Sequence, residues 1–186
     1  MALKDIIKSN KAVLKFLIVF FGSYTLLALL YQGFLKYANV EGYYPDIITH
    51  HVATQSYHVI DLLGFEASIF KDAESPSMVI AINGENVVRV IEGCNSISVI
   101  ILFLSFVLAF FRGLKSTLVF ILIGAVIIYV INIVRVALLV LGLYFYKDYG
   151  DFLHDILFPL VIYGVVLLLW LIWIKKYKTA ARSENN

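Results

Sequence analysis

Residues 116–146 read STLVFILIGAVIIYVINIVRVALLVLGLYFY, and the only charged residue among them is Arg135. An α-helix rises about 1.5 Å per residue, so a bilayer core about 30 Å thick needs roughly 20 apolar residues. The 19 residues between Lys115 and Arg135 already suffice. Working outward, three more uncharged runs have the same length: 20 residues between Lys15 and Lys36, 19 between Glu92 and Arg112, and 19 between Asp155 and Lys175.

The bulk figures agree. Of 186 residues, 61% are hydrophobic and 15% charged, whereas a soluble domain has about 45–50% apolar and about 25% charged residues. A soluble domain and a disordered chain are both excluded. The net charge of +2 gives no reason to expect a nucleic-acid partner. A single Cys, Cys94, excludes an internal disulfide and any CxxC redox or zinc site. The expected fold is an all-α integral membrane protein, one membrane domain over residues 1–186. It has four transmembrane helices at about 16–35, 95–111, 116–144 and 156–174 and an outward-facing segment at 37–93. The first span is too long for a signal peptide and lacks a small-residue cleavage site.

Basic residues near the ends of spans set the orientation. Lys4, Lys8, Lys11, Lys15, Arg112, Lys115, Lys175, Lys176, Lys178 and Arg182 fall on one side with Asp5 and Glu184, net +8. The other side, with Arg135 counted there, carries net −6. Both termini and the second loop are therefore expected in the cytoplasm, with residues 37–92 and 145–155 outside.

In the outer segment, residues 46–63 (DIITHHVATQSYHVIDLL) place Ile48, Val52, Tyr57 or Val59, Leu62 and Leu63 at helical spacing. This predicts an amphipathic helix on or near the membrane. KDAESPS reads as a loop. MVIAI and NVVRVI around Asn83-Gly84 read as a β-hairpin, which leads directly into Glu92-Gly93-Cys94-Asn95.

Three polar residues reach one depth. Cys94 lies 18 residues from Arg112, Arg135 lies 20 from Lys115, and His154 lies 21 from Lys175. At about 1.5 Å per residue, these are roughly 27, 30 and 31 Å from the cytoplasmic boundary. Cys94 opens a helix, where Asn95 or Ser96 can cap and the dipole favours a thiolate; a lone Cys is equally an ordinary small packing residue. Arg135 interrupts an apolar run, and intramembrane charges are costly and usually functional, the alternative being an Arg that snorkels to the interface. Asn132 lies one turn below it on the same face. His154 has Asp148, Asp151 and Asp155 nearby to orient its ring. Together they supply a thiol nucleophile, a base and a cationic oxyanion stabiliser, a Cys/His arrangement for acyl transfer. Glu92 could orient His154 or Arg135, or simply end the hairpin. His50, His51 and His58 lack a carboxylate at ligand spacing, so no metal site is expected. One charge among four helices leaves no polar pathway for a transporter or channel. Gly22, Gly33, Gly124, Gly142 and Gly164 suit close helix packing.

The segments EGCNSISVIILF (92–103), NIVRVALL (132–139) and FLHDILFP (152–159) resemble the exosortase/archaeosortase family, and most closely its short F-type members in the Bacteroidetes. The resemblance spans roughly residues 45–175. It implies a cofactor-independent membrane cysteine protease/transpeptidase with a Cys–Arg–His set at Cys94, Arg135 and His154. The implied location is the bacterial cytoplasmic membrane, with the site facing outward. The implied partner is a secreted protein ending in a short motif, a transmembrane helix and a basic tail. Many members have Cys-Ser-Gly where this chain has Cys94-Asn95-Ser96, and most larger relatives have about eight spans. The alternative is a non-enzymatic membrane component of a cell-surface export or polysaccharide assembly system.

Overall fold

The computed structural model describes residues 10–40 and 45–183, with side chains described over 10–37 and 45–176. The tail charges Lys4, Asp5, Lys8, Lys178, Arg182 and Glu184 lie outside those side chains. In chain order come α1 (Lys11–Val40), α2 (Ile47–Leu62), β1 (Ala67–Lys71), β2 (Met78–Ile82), β3 (Glu85–Val90), α3 (Ile97–Ala109), α4 (Leu114–Phe145) and α5 (Phe158–Ser183).

Three helical stretches are long and apolar enough to cross a membrane: Lys11–Tyr37, Leu114–Phe145 and Phe152–Lys176. The segment expected to span at 95–111 forms a shorter helix. α3 has 13 residues, a rise of about 20 Å. Its core-facing residues Phe103 and Val107 are nevertheless fully buried.

α4 is the spine of the molecule. Its 32 residues rise about 48 Å, well beyond a bilayer core, and two separate cores form along it. The lower core packs Ile128 of α4 against Phe103 and Val107 of α3 and against Ile162, Val166, Leu169 and Trp173 of α5. Aromatic stacking reinforces it: Trp170 lies on Phe106 with ring centres 4.2 Å apart, and Trp173 on Phe120 at 4.6 Å. α1 joins this layer at its edge, where Phe16 meets Phe110 at 5.0 Å. The upper core packs Val136, Ala137 and Val140 of α4 against α2 and the sheet.

α2 begins where Asp46 accepts hydrogen bonds from the backbone N–H of Ile48 (3.0 Å) and Thr49 (3.1 Å), an N-cap. Its buried face follows the apolar stripe expected from the sequence at Val52 and in part at Val59, but departs from it elsewhere. Thr49, Val52, Ala53, Ser56 and Ile60 face inward, whereas Leu62 and Leu63 are exposed. The small residues on this face let α2 approach α4 closely, and the Ser56 hydroxyl donates to the Ile133 carbonyl at 3.2 Å. Packing against α4, rather than against lipid, therefore selects the face.

β2 is the central strand of an antiparallel sheet with order β1-β2-β3, and all five of its residues are buried. It turns into β3 at Asn83-Gly84, whose φ angles of 51° and 78° are those of a tight hairpin turn. β1 pairs with the other edge of β2, from Ala67 opposite Ile82 to Lys71 opposite Met78. The turn docks on the end of α4 and the residues after it. Asn83 Nδ2 donates to the Tyr144 hydroxyl at 2.9 Å, and Lys147 pairs with Glu85. In the β1–β2 loop, Ser75, the Glu74 N–H and Ser77 donate to the Asp72 carboxylate, which holds it below its ordinary range.

Of the five glycines expected at helix contacts, Gly22, Gly33 and Gly164 have open space where a side chain would go. Gly142 sits against Leu153, and Gly124 has the Phe103 ring lying directly over it. Gly124→Ala would overlap that fully buried ring. Overpacking of this kind costs about 1–3 kcal/mol. Thermal unfolding in detergent is expected to show the loss, and Phe103→Leu in the Gly124→Ala background to restore part of it. An unchanged midpoint for Gly124→Ala would refute the tight contact.

Candidate active site

β3 ends at Val90. The chain then makes a short 3₁₀ turn over Glu92–Cys94 before α3 begins. The Cys94 N–H donates to the Ile91 carbonyl at 2.8 Å, and the Asn95 N–H to the Glu92 carbonyl at 3.3 Å. Cys94 is half-buried and packs against the upper core. Asn95 is buried and joins three elements. Its Oδ1 accepts from the Ile97 N–H at 3.0 Å, capping the start of α3. Its Nδ2 donates to the Tyr31 hydroxyl of α1 at 2.7 Å and to Thr49 Oγ1 of α2 at 3.1 Å. Thr49 in turn donates to Asp46 at 2.5 Å.

The Cys94 carbonyl is held from the next helix. Asn132, fully buried on α4, donates Nδ2 to it at 2.7 Å. The same Asn132 accepts at Oδ1 from Arg135 Nη1 at 3.0 Å. One amide thus bridges the turn carrying Cys94 and the Arg135 guanidinium. Arg135 Nε is buried and meets no acceptor among the described residues.

His154 stands apart from this pair. It lies in a widened π-turn, Phe152–Leu157, that leads into α5. Its ring Nδ1 is 2.7 Å from Asp155 Oδ1, and the side chain is 56% exposed. No hydrogen bond joins it to Cys94 or Arg135 among the described residues. The depth count placed all three residues level. Leu153, however, packs on Gly142, seven residues past Arg135 along α4, which is about 10 Å of rise. The turn therefore sits farther out than an ideal straight helix implies. π-turns recur at functional sites, and this one flanks the histidine.

The Glu92 carboxylate is exposed and makes no hydrogen bond to Arg135 or His154 among the described residues. On α2, burial first, and then the neighbouring His51 and Lys71, hold His50 below its ordinary 6.5. The structure brings Cys94, Asn95, Asn132 and Arg135, the residues singled out in the sequence, into one neighbourhood, and leaves His154 apart. Tyr31 and Thr49, which the sequence reading did not single out, join it through Asn95 and carry no local signal beyond being polar in apolar surroundings.

The model of the transmembrane exosortase (EpsH) family matches residues 14–172 of the sequence. The chain belongs to the transmembrane exosortase family. No curated protein and no solved structure matches it. It is a multi-pass membrane member whose matched region runs from α1 to α5.

Membership sharpens the one motif departure. Where Cys-Ser-Gly members have Gly, Ser96 adopts φ 63°, in the left-handed region. A non-Gly residue there costs roughly 1–2 kcal/mol. The buried Ser96 hydroxyl also has no hydrogen-bond partner among the described residues. Ser96→Gly is therefore expected to raise the unfolding midpoint, and the β-branched Ser96→Val to lower it; a lower midpoint for the Gly variant would refute the strain. Replacing Asn132 by Ala removes the donor and leaves the Cys94 carbonyl without this partner, at a cost of about 1–3 kcal/mol; the same loss is expected of the similarly branched, larger Asn132→Leu. Denaturant titration is expected to show that loss, and full stability of Asn132→Leu would remove the bridge from the account.

Proposed function

We propose that this exosortase-family chain is a membrane-embedded cysteine protease and transpeptidase acting on the C-terminal sorting tails of secreted proteins. The observation that carries this reading is the Asn132 bridge. It joins the Cys94 backbone to Arg135, whose buried Nε–H meets no acceptor among the described residues. An unused cationic donor held beside a thiol-bearing turn suits an oxygen that becomes negative during reaction.

In this reading the Cys94 thiolate attacks the scissile carbonyl carbon and forms a C–S bond. Arg135 stabilises the tetrahedral oxyanion. His154, oriented by Asp155, takes the thiol proton and returns it to the leaving amine as the C–N bond breaks. The resulting thioester is resolved by water, giving a carboxylate, or by an amine acceptor, giving a new amide. His154 reaches the thiol when a bound substrate draws the Phe152–Leu157 turn inward; catalytic hydrogen bonds are often long before substrate binds. Asn132 and Asn95 position the turn, and the chemistry needs no cofactor.

The whole chain acts as one membrane domain in the bacterial cytoplasmic membrane, with both termini cytoplasmic and the site outward. α3 supplies the fourth crossing. Its short length is tolerated because its ends are satisfied by protein rather than lipid. Trp173 Nε1 donates to the Phe110 carbonyl at 3.1 Å, and the Arg112 N–H to Thr117 Oγ1 at 3.1 Å. The substrate enters laterally with its own transmembrane helix, its motif at the outer surface and its basic tail in the cytoplasm. In this reading the chain is one of the short F-type members.

A second reading, a non-enzymatic component of an export or polysaccharide assembly system, is favoured by the separation of His154 from Cys94. Substitution separates the two. Cys94→Ala is expected to insert normally and accumulate unprocessed substrate, and the wild type to yield a Cys94-linked acyl species on trapping. Arg135→Ala is expected to slow processing about 10²–10³-fold and His154→Ala about 10²–10⁴-fold. Normal processing by Cys94→Ala would falsify the enzymatic reading.

A further inference from the structure

At the far end of the molecule from Cys94, the start of α4 and the Trp173–Lys176 stretch of α5 flank an open cavity of about 610 Å³. Arg112, Lys115 and Lys176 stand at it, with Val119, Phe120 and Trp173 forming its apolar walls. The cations are held against aromatic rings. The Arg112 guanidinium lies 5.4 Å from the Trp173 ring centre, and the Lys176 ammonium 5.9 Å from that of Phe120. Among the described residues no carboxylate pairs with Arg112, Lys115 or Lys176. Three positive groups thus converge on one cavity without internal neutralisation.

We infer that this cavity binds an anionic phospholipid, with its phosphate among Arg112, Lys115 and Lys176 and its acyl chains along α4. The layout is that of an amphiphile. Charge lies at the start of α4, and the apolar residues follow one and two turns deeper on the same helix. Leu114, Val119 and Ile123 are open to the surrounding membrane, at 69%, 48% and 55% exposed, so the cavity is continuous with the lipid-facing surface. A free phosphate would use the cations and leave the apolar walls uncovered; a phospholipid uses both. Basic pockets between transmembrane helices suit anionic head groups, and each cation near such a surface contributes on the order of 1 kcal/mol. The leaflet that supplies the lipid rests on the orientation proposed above; the pocket chemistry does not.

The test uses the full chain, reconstituted in phosphatidylcholine nanodiscs containing phosphatidylglycerol and released into detergent for native mass spectrometry. The expected result is preferential retention of phosphatidylglycerol. Its affinity should fall about fivefold for each cation removed in Lys115→Gln and Lys176→Gln. Val119→Trp keeps all three cations but fills the wall, and is expected to lose the lipid as well. Folding of every variant is checked by monodisperse elution. Equal retention of the two lipids overturns the proposal, as does undiminished retention in the doubly substituted chain. Protection from thermal unfolding by inorganic phosphate without lipid preference also overturns it, because the occupant would then be a free anion. Retention is read without turnover, so it stands or falls separately from the chemistry at Cys94.

Discussion

A buried backbone polar group without a partner costs several kcal/mol in apolar surroundings, and the ends of α3 carry this risk. The helix is short, and irregular backbone flanks it on both sides: the Glu92–Ser96 turn before it and Phe110–Gly113 after it. Each end is answered by a side chain. Asn95 and Asn132 serve the end next to Cys94, and Trp173 and Thr117 the end next to Phe110. The remaining helices can be understood as the frame that brings those four side chains to α3.

The same requirement explains where the candidate site lies. α4 carries a dry helical core below and a sheet-and-helix core above. Asn132 sits between them, where α4 reaches the turn that joins β3 to α3. A polar side chain needed there for structure is thereby placed beside Cys94, and Arg135 follows one turn later. The site is built from a capping interaction and a charge, on a helix already fixed at both ends.

The spacing of charges made α1, α4 and α5 legible, because 19 or 20 uncharged residues have few alternatives. Cys94, Asn132 and Arg135 were legible for a related reason: polar residues are conspicuous in apolar runs. Three features escaped. β1 (ASIFK) is weakly strand-forming and exists because β2 offers it an edge. The buried face of α2 follows from small residues that fit α4, which hydrophobicity does not report. The position of His154 depends on how α5 packs against α4, which residue counting along one helix does not report. Each is a tertiary effect acting on a locally ambiguous segment.

The capping of α3 also bears on how the chain enters the membrane during synthesis. The donor for the Cys94 carbonyl lies 38 residues downstream, and the donor for the Phe110 carbonyl 63 residues downstream. When α3 leaves the ribosome neither partner is yet in place beside it. Its Cys94 end waits for α4, and its Phe110 end for α5. The order of translation thus lets the Cys94 end of α3 settle once α4 is in place, and the Phe110 end only after α5 has followed.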